Sequence, residues 1–181
     1  GHRQADLAAE RLVSTGERID AIYVTTMQRT EQTAAPLAKR LGVEPIVEAD
    51  LREVHLGEWE GGVFRQRVAE GDPLSLEMFR QQRWDVIPGA EPAEVFAARV
   101  RSGVARIGAA HPDGVVVAVV HGGVIGQIMA ECIGTSPFAL VGADNASISH
   151  VVVTEQRWIV RCFNDTSHLS PTFSSAAEPL T

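Results

Sequence analysis

Val115-Val116-Val117-Ala118-Val119-Val120 is a run of six apolar residues that ends at His121-Gly122-Gly123. Such a run reads as a strand buried on both faces. Val124, Ile125, Ile128 and Met129 follow at helical spacing, so His121 falls on a strand-to-helix turn. The same order occurs earlier. Ile19 to Thr25 reads as a strand, and Thr30 to Leu41 as a helix with Ala34, Leu37, Ala38 and Leu41 on one face and Gly42 as its stop. Ala5, Leu7, Ala8, Leu12 and Val13 mark a helix at the start of the chain, and Glu44 to Glu48 a short strand. Residues 63 to 85 are amphipathic and polar without clear boundaries. Pro92 opens a helix running to about Ala110, buried through Val95, Phe96, Val100, Val104 and Ile107; His111 caps its C-terminus. Asn145 to Thr154 and Arg157 to Phe163 read as an antiparallel hairpin at the sheet edge, turning at Glu155-Gln156. Strands alternating with helices describe an α/β domain with parallel strands.

The length of 181 residues suits one domain spanning 1–181, with a loosely ordered tail over 166–181. The 16 basic residues are scattered and the net charge is −7, which excludes a nucleic-acid or anionic-membrane surface. Any bound anion must therefore find its positive charge locally. Cys132 and Cys162 sit in apolar surroundings without a paired spacing, as expected of buried free thiols in a reducing compartment. No stretch approaches the ~18 apolar residues of a membrane span, and a cytoplasmic protein is expected. A homodimer is the commonest assembly for such a chain.

In an open α/β sheet, ligands bind where strands end and helices begin. The helix terminus offers unpaired N–H groups and a positive dipole end, and Gly122 and Gly123 let an anion approach the backbone. His121 there suggests phosphate chemistry. Two other readings stand beside it: a capping or packing histidine, and a dinucleotide fingerprint, His121-x-Gly123-x-x-Gly126, whose first glycine is missing. Arg29 lies on the corresponding turn of the earlier strand, so the two side chains can face one crevice. Between them in sequence, Asp50 to Gly62 is a loop holding Glu53, Glu58 and Glu60 together with His55 and Trp59. A carboxyl group beside Val54, Leu56 and Trp59 would have the raised pKa of a general acid; the alternative is a solvated acidic loop.

Gly1-x-x-Gln4-Ala5, Thr25-Thr26-Met27-Gln28-Arg29 with Gln32-Thr33-Ala34, Leu51-Arg52-Glu53-Val54-His55-Leu56-Gly57-Glu58-Trp59-Glu60-Gly61, Pro88-Gly89-Ala90-Glu91, His121-Gly122-Gly123 and Asn145-Ala146-Ser147-Ile148 with Asn164 to Leu169 occur in that order. Together they resemble the histidine phosphatase superfamily, the cofactor-dependent phosphoglycerate mutase-like proteins. The resemblance covers nearly the whole chain. It implies a three-layer α/β/α fold with a mostly parallel central sheet, and a metal-independent phosphomonoesterase, without cofactor, acting on a small-molecule phosphate through a phosphohistidine. Glu53 would be the acid and then the base. Arg29 and a protonated His121 would hold the phosphoryl oxygens, and the N–H groups of Gly122 and Gly123 would add donors. The family's Arg-His-Gly motif, which carries the nucleophile, does not occur in these residues. Either a first strand and catalytic loop precede Gly1 in the natural protein, as a chain starting in mid-helix suggests, or the chain is an inactive phosphate-binding relative. Where the mutases carry an arginine pair, this chain has Gln81-Gln82-Arg83, which favours phosphatase over phosphoglycerate mutase.

Overall fold

β1 (Ala21–Val24) is the centre of the sheet: all four residues are buried, and it pairs in parallel with β2 (Ile46–Val47) on one side and β3 (Val116–Ala118) on the other. The computed structural model describes residues 1–170. Helices cover both faces of the sheet. Ile22 and Val24 point into a core with Ala9 of α1 (His2–Val13) and with Ala34 and Leu37 of α2 (Gln28–Leu41). On the opposite face, Tyr23 meets His111, which ends α5 (Ala93–Ala110), through a hydroxyl-to-imidazole hydrogen bond of 3.0 Å. Phe96, Val100 and Val104 of α5 join Val124 of α6 (Gly122–Ile133) in the larger core. That core continues under α3 (Val63–Ala69) and α4 (Pro73–Gln81) through Phe64, Met78 and Trp84. The stretch from 63 to 85, without clear period in sequence, thus divides into two short helices and a turn that supply aromatic cover.

The hairpin of β4 (Ile148–Val153) and β5 (Trp158–Asp165) forms its own antiparallel sheet, with Val153 opposite Trp158. Two expectations change here. The hairpin is not bonded to the edge of the parallel sheet, and β3 is not buried on both faces: Val116 and Val117 are half-buried, Ala118 is exposed, and Val115 is 40% exposed. The cause is common to both. Among the described residues β3 has a strand partner only on its β1 side, so its other edge is open.

Cys132 and Cys162 are free but only half-buried. Within residues 166–170, the His168 Nε2–H donates to the Ala146 carbonyl at 2.9 Å, and Leu169 N–H to Thr166 O at 2.8 Å. The remainder of the expected tail, 171–181, lies outside the described residues. No helix among the described residues is long and apolar enough to cross a membrane.

Candidate active site

Because β1 and β3 are parallel neighbours, the turns that follow them open at the same end of the sheet. The turn after β1 carries Thr25 and Thr26 into the first residues of α2, where Arg29 sits. The turn after β3 places His121 as the extended residue preceding α6. Arg29 and His121 meet there as expected, with Arg29 Nε donating to His121 Nδ1 at 3.2 Å. A guanidinium nitrogen always carries its hydrogen, so Nδ1 is the acceptor and the imidazole proton belongs on Nε2. That nitrogen lies 2.9 Å from Oγ1 of the fully buried Thr25. Thr30 completes the support: its hydroxyl donates to Met27 O at 2.8 Å, and its oxygen accepts the Thr25 N–H at 3.0 Å.

These contacts describe a neutral histidine. Burial first, then the charges of Arg29, Arg52 and Arg99, push the His121 pKa down to about 3. His121 is therefore neutral in the site without an anion, and the protonated form expected of it belongs to the site holding a phosphate. Three cations surround an imidazole that is 6% exposed, and only an arriving negative charge can make a fourth positive charge favourable there.

The carboxylate comes from the acidic loop. Of Glu53, Glu58 and Glu60, only Glu53 reaches the turn of His121; Glu60 closes its own loop by accepting the Leu56 N–H at 2.8 Å, and Glu58 is exposed. Glu53 accepts the Val54 N–H at 3.0 Å and the Gly123 N–H at 3.2 Å. Burial raises its pKa, against the opposing pull of those two N–H groups and of Arg29 and Arg99. The raised pKa expected from its apolar neighbours is thus present.

Gly123 departs from expectation. Its N–H points at Glu53 rather than at open space, and a Cβ built on Gly123 would stand 2.6 Å from Glu53 Oε1. Its place is to admit the carboxylate to the N-terminus of α6. Gly122, the first residue of α6, has nothing within 4 Å of where a side chain would stand.

A second glycine fixes the loop. Gly57 has φ +55, and a Cβ there would lie 2.2 Å from Pro88 O and 2.4 Å from Ala90 N, so the acidic loop and the Pro88-Gly89-Ala90 turn cross backbone to backbone. Glu58 N–H donates to Pro88 O at 3.0 Å and Glu91 N–H to His55 O at 2.9 Å across that crossing.

Arg52 and Arg99 join the site without a sequence motif of their own to mark them as site residues. Arg52 is exposed and donates through Nη1 to Thr26 Oγ1 at 3.3 Å, which puts a second cation at the mouth. Its position next to Glu53 was the available signal; Arg99, far along the chain, offered none. A cleft of about 620 Å³ between α1 and α2 holds none of these groups. The cluster is a shallow, cation-rich opening at a helix N-terminus with one protonatable carboxyl group, suited to gripping a phosphate and delivering a proton.

Comparison with known proteins agrees with this chemistry. A family model described as the histidine phosphatase superfamily (branch 1) matches residues 1–166. The chain is 32% identical to phosphoglycerate mutase-like protein 4 of Arabidopsis thaliana, over 95% of this chain and 75% of that one. It is also 32% identical to the metal-independent phosphoserine phosphatase of the same plant, over 94% of this chain and 71% of the relative. Its fold superposes on mycobacterial glucosyl-3-phosphoglycerate phosphatase, solved with inorganic phosphate, at a TM-score of 0.78 and 30% identity, covering 93% of this chain and 87% of the other.

Proposed function

Since the chain belongs to the histidine phosphatase superfamily and is a phosphatase, we propose that its site hydrolyses a small phosphomonoester without a metal, through a phosphohistidine. The observation that carries this is one cluster: Glu53 bonded to the N-terminus of α6 that begins beside His121, with Arg29 on the same imidazole. Arg29 and His121 hold the phosphoryl oxygens, supplying fixed positive charge where charge builds up in the transition state. The protonated Glu53 gives its proton to the ester oxygen as the P–O bond breaks. Its carboxylate then takes a proton from the water that attacks the phosphohistidine, and inorganic phosphate leaves.

The nucleophile is a histidine on a further strand, outside these 181 residues, that pairs with the free edge of β3. Supporting this are the missing Arg-His-Gly and the edge of β3, which has no strand partner among the described residues and lies beside the turn bearing His121. Phosphatase is favoured over mutase because Arg83 is held by Asp85 at 2.7 Å and so does not offer its charge to a second anionic group. A cytoplasmic location fits the two unbonded cysteines. Sedimentation would show whether the protein is a dimer.

The test is hydrolysis of phosphoserine by the natural full-length protein in excess EDTA, with the phosphoenzyme trapped and checked for acid lability and base stability. His121→Ala should lower the rate about 10²–10³-fold. Retained activity in that variant, or abolition of the wild-type rate by EDTA, overturns the reading.

A further inference from the structure

Arg99 enters the site from α5, about two turns beyond Pro92, and its side chain is 19% exposed. Guanidinium has five N–H donors in a rigid planar fork, and here each has an acceptor. Nε and Nη2 form a bidentate pair with the two oxygens of Glu91 at 2.7 and 2.8 Å. Nη1 donates to Asp50 O and Arg52 O, each at 2.6 Å, and the second hydrogen of Nη2 goes to Glu53 O at 3.1 Å. Its Cζ lies over the ring of Phe96, 4.8 Å from the centroid, and that side chain is 1% exposed, so the fork is supported from below. Glu91 reaches the other flank of the loop through the His55 N–H at 3.3 Å. Burial raises the Glu91 pKa, but the hydrogen bond and charge of Arg99 outweigh it and hold the carboxyl below its ordinary value, so the pair is ionised.

We propose that Arg99, oriented by Glu91, is the positioning residue of the general acid: its fork fixes the backbone carbonyls of Asp50, Arg52 and Glu53, and so aims the Glu53 carboxyl at the N-terminus of α6. This rests on the reading of Glu53 as the acid. A backbone held at 50, 52, 53 and 55 leaves the Glu53 side chain few directions, and the one it takes is toward Gly123 N. Lysine retains the charge but, as a point charge with three donors, cannot fit a planar set of five acceptors. The simpler alternative is a buried ion pair that only holds the fold, which would weaken everything at once when broken.

The experiment uses Arg99→Lys, with Glu91→Gln as the milder variant that retains one acceptor oxygen. In the 181-residue chain, the Gly123 amide proton shift should follow the ionisation of Glu53 in a pH titration, and Arg99→Lys should abolish that response while the melting transition stays cooperative. In the full-length enzyme, first-turnover alcohol release is compared for phosphoserine, whose leaving alkoxide needs a proton, and 4-nitrophenyl phosphate, whose leaving group does not. Arg99→Lys should lower the phosphoserine rate at least about ten-fold further than the nitrophenyl rate, and should add little to the loss caused by Glu53→Gln. Glu91→Gln should show the same bias, smaller. A preserved Gly123 response, or equal losses on both esters, overturns the positioning role. A wild-type enzyme inactive on both esters fails the phosphatase reading instead, and the amide titration still decides whether Arg99 aims Glu53.

Discussion

Arg29 and His121 stand at the first turns of α2 and α6, where β1 and β3 deliver them, whereas Glu53 stands on a loop whose shape depends on residues 88–91 and on Arg99. The anion-holding half is made by the ends of regular elements. Its geometry follows from strand pairing and needs little added support beyond Thr25 and Thr30. The proton-donating half has no ladder to hold it and is pinned by side-chain and backbone bonds from elsewhere in the chain. The two meet at two hydrogen bonds, Gly123 N–H to Glu53 and Arg52 Nη1 to Thr26 Oγ1. A site divided in this way should fail in two distinguishable manners.

The largest effect expected is kinetic. Glu53→Gln should lower phosphoserine hydrolysis by about 10²–10⁴-fold without weakening sulfate binding, since it removes a negative charge from the neighbourhood. His121→Ala should weaken sulfate binding and catalysis together. Indistinguishable profiles from the two variants, measured by initial rates and calorimetric titration, would mean that the halves act as one unit.

A smaller effect lies in stability. The Glu53 pKa is raised in the folded state, so its ionisation works against folding above pH ~4.5. Glu53→Gln should therefore raise the melting temperature, and by more at pH 8 than at pH 4.5. A gain independent of pH would assign it to packing rather than to the buried charge. Smallest is a proton count. His121 is neutral in the empty site, with a pKa of about 3, and a bound dianion raises that value. Sulfate does not titrate near neutrality, so its binding should take up a fraction of a proton, seen by calorimetry in buffers of different ionisation heat. Affinity should fall as pH rises, and both signs should vanish in His121→Ala.

The division also governs what the sequence alone makes legible. Strand-to-helix turns announce themselves through hydrophobic period, so Arg29 and His121 could be placed in one crevice from spacing alone. Glu53 was legible through its apolar neighbours, which foretold a raised pKa. Arg99 was not, because it lies 46 residues beyond Glu53 in sequence and its contacts are to carbonyls, which every residue possesses. Gly123 was misassigned for a related reason: a glycine at a helix start looks the same whether its N–H serves a ligand or a side chain. The burial of β3 was overestimated because a run of valines records what a strand can pack against, not which neighbours are present.

Gly123 also offers a handle for engineering. The atom that an added methyl would meet is the far end of a flexible glutamate, so Gly123→Ala costs the fold little and displaces only the carboxyl group. The cationic grip of Arg29 and His121 would remain intact. An enzyme so altered would hold its phosphate ester without releasing the alcohol, and would serve as bait for recovering the natural substrate from a cell extract.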